Sequence, residues 1–282
     1  MAATTRWRIG VIGDPVAHSL SPDFQQPALD ALRIPAQFER WHTPAATLPE
    51  RVAGLRAPDA LGACVTVPHK LAVMALLDEI APSARAVGAV NTIVPVENRL
   101  VGENTDAAGY AAALRDVCPR PASRPAVVLG AGGAARAVIA ALRSLGVPAI
   151  TVANRNPQRA AQLIDELGAD DLTPIGMDRD DLRGRLAGTL LLVNATSIGW
   201  KAGEAPLDVR LLDALPPDAF VSDLTYRDTE LLRAAAERGL ATQDGLGMLV
   251  HQGALQFQMW TKQEAPLAIM WEAAIAGRAA RD

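Results

Sequence analysis

A lysine at the end of GACVTVPHK, residues 62–70, is the first candidate for catalysis. The two-residue period of a strand places Cys64 and Thr66 on its small, polar face, which suits the lining of a cleft. Pro68 is typical of the first residue of a helix, so the pattern predicts that Lys70 lies in a first helical turn. A cation there meets the positive end of the helix dipole and releases its proton more readily, which favours general acid-base catalysis. The alternative is a solvated surface lysine.

Polar residues elsewhere in the chain could work with this lysine. Asp106 precedes the helical AAGYAAAL, so it is a candidate for proton transfer or, alternatively, an N-cap. Asn91 ends the GAV run and can both donate and accept hydrogen bonds. Ser19 and Ser21 lie two residues apart in a loop, and Ser21 before Pro22 also has the pattern of an N-cap.

A glycine-rich loop follows the predicted strand 126–129 and precedes a long apolar helix. This order of strand, tight turn and helix is the context in which GxGxxG/A predicts a dinucleotide site. Gly130 permits the turn, Gly132 lets the backbone approach a pyrophosphate, and Ala135 allows close packing of the helix on the strand. The alternative is an ordinary glycine-rich turn.

The end of the next predicted strand, ANRNPQR, indicates which dinucleotide is bound. Enzymes that use NAD place an acidic residue here, against the ribose 2′-hydroxyl. This chain has Asn154, Arg155 and Arg159 instead, and a guanidinium suits a 2′-phosphate. The sequence therefore favours NADP over NAD, the alternative being that the arginines are a solvated helix start.

Short apolar strands alternate with helical patterns throughout, which predicts an α/β architecture with mainly parallel sheets. A hairpin at 91–102 and a proline-rich linker or loop at 118–125 interrupt the alternation. The other predicted elements of the N-terminal half are strands 8–13, 37–41 and 61–67, and helices 23–33, 48–55, 68–80 and one from 106 onward.

The composition excludes several classes of protein. The formal charge is −4, and the 27 Lys and Arg residues are dispersed, which argues against a nucleic-acid or anionic-membrane surface. No signal pattern and no apolar run of about 18 residues is present, so a cytoplasmic protein is expected. Cys64 and Cys118 have no metal-ligand or disulfide spacing, so we expect free thiols and no metal. A small molecule is the expected partner.

The motifs together resemble the shikimate dehydrogenase family in order and spacing along the whole chain, through the blocks GDPVAHSLSP, VTVPHK, GAVNT, ENTDAAG, GAGGAARA, ANRNPQR, NATSIG and GLGMLVHQGA. The resemblance implies reversible, NADP-dependent reduction of 3-dehydroshikimate to shikimate, in chorismate and aromatic amino acid biosynthesis. It implies an α/β substrate domain, residues 1–106 and 246–282, completed by the C-terminal helices. A Rossmann-like NADP-binding domain, residues 107–245, lies between, with the active site in the intervening cleft. A monomer or homodimer is expected.

The resemblance also implies roles for individual residues. Lys70 and Asp106 match the catalytic pair of the family, with Lys70 handling the proton of the substrate 3-oxygen. Residues that match substrate-binding positions are Ser19, Ser21, Thr66, Asn91, Tyr226 and Gln252. Residues that match the cofactor site are Gly130, Ala131, Gly132, Gly133, Ala134, Asn154, Arg155, Arg159, Leu224 and Gly245.

Three positions depart from the pattern of the family. Cys64 replaces an asparagine that bonds a substrate hydroxyl, and a thiol is a weaker hydrogen-bonding partner. Asn156 replaces a threonine beside the cofactor arginines. Tyr226 lies in YRDTELL, which is shorter than the usual segment and lacks its prolines.

Two alternatives to a shikimate dehydrogenase stay open. Cys64 supports a quinate/shikimate or shikimate-like dehydrogenase that acts on a related polyol acid. A cofactor-binding regulatory protein without turnover is less compatible with the chain, because such a protein needs neither Lys70 nor Asp106.

Overall fold

The chain folds into two compact units, as described by a computed structural model for residues 6–118, 120–168 and 170–281. Unit 1 comprises the chain up to Gly109 and from Leu249 onward, and unit 2 comprises Tyr110–Met248. Both units alternate strands with helices, which confirms the predicted α/β class and the return of the C-terminal helices to the first domain. No helix in the described ranges is both long and apolar enough to cross a membrane.

Unit 1 contains a six-stranded mixed sheet in the order β2-β1-β3-β5-β6-β4. β1 pairs in parallel with β2 and β3, whereas the hairpin β5-β6 runs antiparallel to β3, so this sheet is less uniformly parallel than predicted. The strands are β1 Trp7–Gly13, β2 Ala36–His42, β3 Ala60–Val65, β4 Glu79–Ile80, β5 Thr92–Val96 and β6 Arg99–Glu103.

The helices of unit 1 include two that continue across the unit boundaries, α4 and α9. α10 packs along α1, so the end of the described chain contacts its beginning. The helices are α1 Ser21–Ala31, α2 Leu48–Ala53, α3 Pro82–Val87, α4 Asp106–Val117, α9 Leu246–Thr261 and α10 Leu267–Ala279.

The core of unit 1 selects one face of β3. Ala63 and Val65 are buried in a cluster with Ile12 and Ile93 from the neighbouring strands. Cys64 lies between them in sequence and therefore projects from the other face of the sheet. Cys64 therefore lies on the face of β3 opposite to this core, with the small and polar residues.

The helix predicted from Pro68 is absent. Residues 67–71 form turns, and a 3₁₀ helix follows at Ala72–Leu76. The carbonyl of Lys70, which an α-helix would pair with the fourth following amide, instead accepts a hydrogen bond from the Val90 N–H at 2.9 Å. The predicted influence of a helix dipole on Lys70 is therefore wrong, and Val67, 61% exposed, lies outside the strand.

Unit 2 contains a six-stranded, fully parallel sheet in the order β12-β11-β10-β7-β8-β9. The strand order reverses between β7 and β10, where ligands bind in open parallel sheets. The strands are β7 Ala126–Leu129, β8 Ile150–Ala153, β9 Leu172–Ile175, β10 Leu191–Asn194, β11 Phe220–Asp223 and β12 Ala241–Gln243. The helices are α5 Gly133–Ser144, α6 Pro157–Leu167, α7 Arg179–Leu186 and α8 Glu230–Glu237.

The proline-rich segment 118–125 is a loop between α4 and β7 inside unit 2, not a linker between the units. Residue 119 lies outside the described residues. Apolar side chains of β7, β10 and β11 pack against α7 and α8 and form a buried core of unit 2.

Gly62 on β3 allows α9 to approach the sheet, and its replacement tests this contact. Gly62 has φ +150°, and an added Cβ would lie 2.3 Å from Nε1 of Trp260, whose indole donates to the Ile93 carbonyl at 3.1 Å. We expect Gly62→Ala to lower the free energy of unfolding by about 3 kcal/mol, through steric overlap and loss of that hydrogen bond. Urea denaturation measures the change. Gly54→Ala, which adds a Cβ to open space, is the matched control, and an equal loss in both variants contradicts the prediction.

Candidate active site

A lysine and an aspartate that are 36 residues apart form a largely buried ion pair in unit 1. Lys70 Nζ lies 2.6 Å from Asp106 Oδ2, with side chains that are 16% and 7% exposed. Asn91 Nδ2 donates to the other carboxylate oxygen, Oδ1, at 2.8 Å. Both oxygens of Asp106 are thus engaged, and the lysine ammonium is held in one direction.

Asp106 is available for this contact because another residue caps its helix. Asn104 Oδ1 accepts hydrogen bonds from the backbone N–H groups of Asp106, at 3.0 Å, and Ala107, at 3.3 Å. α4 begins at Asp106, so the N-cap interpretation of Asp106 is wrong. Asparagine is a preferred capping residue, so the ENTD segment did contain the signal for Asn104.

Residues from three separate segments converge on the amide of Asn91. Its Nδ2 also lies 2.9 Å from Thr105 Oγ1 and 3.3 Å from Gln252 Oε1, so its two protons are shared among three acceptors. Gln252 is on α9, so the last part of unit 1 supplies one wall of the cluster. Asn91, Thr105, Asp106 and Gln252 are all buried, which makes their mutual hydrogen bonds necessary.

The two serines lie together at the start of α1. Ser19 Oγ donates to Ser21 Oγ at 3.2 Å and accepts from the Ser21 N–H at 3.3 Å. α1 begins at Ser21 after Leu20, and no side chain caps it, so the N-cap interpretation of Ser21 is wrong. The hydroxyl of Ser21 is instead turned toward Cys64.

Cys64 belongs to the same polar region. Burial raises the pKa of its thiol to about 12, although a hydrogen bond with Ser21 and the charge of Lys70 act in the opposite direction. The thiol is therefore protonated and unreactive near neutral pH. Thr66, partly buried, directly follows β3, and its N–H donates to the Ile12 carbonyl of β1 at 2.9 Å.

In unit 2, the glycine loop between β7 and α5 has the features of a pyrophosphate site. Gly130 adopts φ +109°, and Gly132, the N-cap residue of α5, has no atom near the position of an added Cβ. The first backbone N–H groups of α5, which begins at Gly133, have no partners inside the helix. Ala135 is fully buried against the sheet. The loop that contains Ala131, together with the first turn of α5, which contains Ala134, therefore fits a dinucleotide phosphate.

The carboxyl end of β8 carries two exposed cations. Asn156 caps α6 by accepting from the N–H groups of Gln158 and Arg159, and Asn154 Nδ2 donates to the Asn156 carbonyl at 2.8 Å. Arg155 and Arg159 are exposed, and neither forms an ion pair within the described part of the chain. The two guanidinium groups thus fit an added phosphate on the adenosine ribose.

Leu224 and Gly245, both predicted near the nicotinamide, lie against each other in unit 2. An added Cβ at Gly245 would lie 2.0 Å from the Leu224 carbonyl oxygen, so only glycine permits this approach. The Gly245 N–H donates to the Thr225 carbonyl at 3.2 Å. Next to them, Tyr226 packs edge-on against Trp200, with ring centroids 4.9 Å apart.

A buried aspartate, which the sequence reasoning missed, holds these loops. Burial raises the pKa of Asp223, and hydrogen bonds from Thr225, Asn194 and Thr229 oppose that rise. Asn194 Nδ2 donates to Asp223 at 3.0 Å and to the Ile198 carbonyl at 2.9 Å. Both residues end adjacent parallel strands, and that position in NATSIG and SDLT was the available signal.

Comparison with known proteins identifies the family. Three family profiles match: "Shikimate dehydrogenase substrate binding domain" over residues 11–93, "Shikimate / quinate 5-dehydrogenase" over 113–198, and "Shikimate 5'-dehydrogenase C-terminal domain" over 245–275. The shikimate dehydrogenase (NADP(+)) of Symbiobacterium thermophilum is 43% identical over 275 residues, which cover 95% of this chain and 93% of that protein. The chain belongs to the shikimate dehydrogenase family.

Two solved structures show the range of the shikimate dehydrogenase fold. The shikimate 5-dehydrogenase of Thermus thermophilus, in complex with NADP(H) and shikimate, has a TM-score of 0.85 at 42% identity, covering 96% of this chain and 99% of that one. The quinate dehydrogenase of Corynebacterium glutamicum, in complex with NAD, also has a TM-score of 0.85, at 29% identity, covering 96% and 99%. Proteins with this fold therefore include one named for shikimate and solved with NADP(H), and one named for quinate and solved with NAD.

Proposed function

We propose that this protein is an NADP-dependent shikimate dehydrogenase, which reversibly reduces 3-dehydroshikimate to shikimate on the route to chorismate and the aromatic amino acids. The observation that carries the proposal is the buried Lys70–Asp106 pair, 2.6 Å apart, with Asn91 fixing the second carboxylate oxygen. The relatives named for shikimate and NADP(+) support the same substrate and cofactor.

Lys70 is proposed to transfer the proton of the reaction. During reduction its ammonium donates a proton to the 3-oxygen, and the carbonyl becomes an alcohol; during oxidation the neutral amine accepts that proton. NADPH, when bound, supplies the hydride that C3 receives. Asp106 keeps Nζ in place through the ion pair, and the buried position of the pair limits competition from water.

Neutral polar groups are proposed to bind the substrate. The hydroxyls of Ser19 and Ser21 can donate to the carboxylate, and Thr66, Asn91 and Gln252 can bond the ring hydroxyls. Tyr226 is proposed to add a further contact from unit 2. Because Lys70 and Asp106 offset each other in charge, recognition by these groups depends on hydrogen-bond geometry.

The cofactor is proposed to bind to unit 2, with its pyrophosphate at the loop that begins at Gly130 and its 2′-phosphate at Arg155 and Arg159. Gly132 leaves space for the phosphate oxygens, and the arginines lie where an acid would favour NAD. Leu224 and Gly245 are proposed to contact the nicotinamide half.

The test is a spectrophotometric assay of shikimate and quinate, each with NADP and with NAD. The proposal expects the highest kcat/KM for shikimate with NADP. Preference for quinate with NAD would replace it by the second candidate, a quinate/shikimate-type dehydrogenase, which Cys64 and the quinate dehydrogenase neighbour favour. Cofactor binding without turnover of either substrate would indicate a regulatory protein.

Cys64 provides a separate prediction about substrate affinity. Cys64→Asn replaces a weak thiol partner by an amide that can bond a substrate hydroxyl, and we expect the KM for shikimate to fall by up to the equivalent of roughly 1 kcal/mol. Steady-state kinetics of both proteins measure the change. Cys118→Asn in unit 2 controls for loss of a buried thiol. An unchanged or higher KM would contradict the prediction and would mean that the substrate fits the thiol better than the amide.

The cytoplasmic location and the choice between monomer and homodimer stay predictions. Size-exclusion chromatography with light scattering tests the second of these.

A further inference from the structure

Two buried polar side chains behind Asn91 have no part in the reaction described above. Gln256 lies one turn after Gln252 on α9 and is 1% exposed. Its Nε2 donates to Thr92 Oγ1 at 3.0 Å and, more weakly, to the backbone carbonyl of Asn91 at 3.3 Å. Thr92, fully buried on β5, donates through Oγ1 to Asn91 Oδ1 at 2.8 Å. Gln256 and Thr92 therefore continue the hydrogen bonds of Asn91 away from Asp106.

The direction of each hydrogen bond in this chain is fixed. The backbone N–H of Thr105 donates to Asn91 Oδ1 at 2.8 Å, so this atom is the amide oxygen and the amide nitrogen faces Asp106. The hydroxyl of Thr92 has a single proton and accepts from Gln256. Of its two other oxygen neighbours, Asn91 Oδ1 at 2.8 Å is nearer than Thr105 Oγ1 at 3.4 Å, so the proton goes to Asn91 Oδ1. Donation thus runs in one direction, from Gln256 through Thr92 and Asn91 to Asp106.

Packing alone does not explain a glutamine at position 256, because one of its polar atoms is buried without a partner in the described part of the chain. Its Oε1 is buried and has no hydrogen-bond partner among the described residues. A buried polar atom without a partner destabilises the folded state, and an apolar side chain of similar size would avoid that cost. The contribution of Gln256 must therefore come from its N–H groups.

We propose that Gln256 and Thr92 are positioning residues for the dehydrogenase reaction. Acting through Asn91, they hold the carboxylate of Asp106 so that Oδ2 faces Lys70. Hydrogen bonds that run in one direction polarise and strengthen one another, so the chain restricts Asp106 more than Asn91 alone would. This inference rests on the proposed function, because it concerns the same lysine and aspartate.

Kinetics of Gln256→Leu, Thr92→Val and the double variant test the proposal. We expect each single variant to lower kcat for shikimate oxidation about tenfold, because small displacements of catalytic groups are costly, while the KM for NADP is unchanged. Thr92→Ser keeps the hydroxyl and should restore most of kcat. The double variant should be no slower than the slower single variant, since both substitutions interrupt one chain.

Gln25→Leu is the matched control. Gln25 is also 1% exposed and also donates to α9, from Nε2 to the Gly253 carbonyl at 2.9 Å. It takes no part in the series of hydrogen bonds from Gln256 to Asp106. We expect this variant to lower the melting temperature and to keep the wild-type kcat. An equal loss of kcat in Gln25→Leu would assign the effect to docking of α9 and overturn the proposal.

A second result would also overturn it: kcat values for Gln256→Leu and Thr92→Val within about twofold of wild type. If Gln256→Leu does not fold, the nearly isosteric Thr92→Val alone decides between these outcomes. Failure of the proposed function is seen separately, as a wild-type protein that does not oxidise shikimate. If the wild type prefers quinate, the same kcat comparison is made with quinate.

Discussion

Replacing Lys70 by alanine is expected to lower kcat for shikimate oxidation by about 10²-fold or more, the scale of general acid-base catalysis. The substitution removes the ammonium that lies 2.6 Å from Asp106 and leaves that carboxylate with Asn91 as its polar partner. Cofactor affinity is expected to stay close to that of the wild type, because the cofactor residues are proposed to lie in unit 2. Steady-state kinetics with both substrates varied, and cofactor titration, measure the two effects.

Lys70→Arg separates proton transfer from charge. Arginine keeps a cation beside Asp106 but does not release its proton near neutral pH, so we expect kcat to stay as low as in Lys70→Ala. Lys262→Ala, which removes an exposed lysine of unit 1, is the control for loss of a lysine. A near-wild-type rate for Lys70→Ala removes the lysine from the mechanism.

The second large effect is expected for the cofactor. Arg155→Leu combined with Arg159→Leu should lower kcat/KM for NADP by about 10²-fold or more, because hydrogen bonds to charged groups contribute roughly 1.5–3 kcal/mol each and both arginines are removed. The values for NAD should change little, since NAD has no 2′-phosphate. Both arginines are exposed and form no ion pair in the described ranges, so their loss should leave the free energy of unfolding nearly unchanged.

Arg183→Leu is the matched control, because it also replaces an exposed arginine of unit 2 by leucine. It should affect neither cofactor. If kcat/KM of the double variant falls equally for NADP and NAD, the arginines contact a group that both cofactors contain. The assignment to the 2′-phosphate is then wrong.

Where local patterns determine the structure, the sequence was a good guide. The strand, glycine turn and helix of residues 126–144 follow the sequence pattern closely, because apolar periodicity and the glycine positions act within one short segment. The alternation of Ala63, Cys64 and Val65 likewise follows from the period of a strand.

Features that depend on contacts between distant segments could not be predicted from local sequence patterns. Pro68 has the local signature of a helix start, but the Val90 N–H donates to the Lys70 carbonyl, which an α-helix would pair with the fourth following amide. Asn104, not Asp106, caps α4, and the Asp106 carboxylate pairs with Lys70, which lies 36 residues earlier in the sequence. Composition and spacing also gave no sign of Gln256, since its partners are more than 160 residues away in sequence.

The order in which the chain is made gives the division of unit 1 a further consequence. A ribosome releases residues up to Gly109 first, then unit 2, and only then the part of α9 after Met248, which contains Gln252, Gln256 and Trp260. Until α9 emerges, Asn91 and Thr92 lack their partners on that helix, and the surface around Gly62 is uncovered. A chain that terminates before Gln252 and Gln256 therefore cannot complete the buried polar cluster around Asn91 and Thr92.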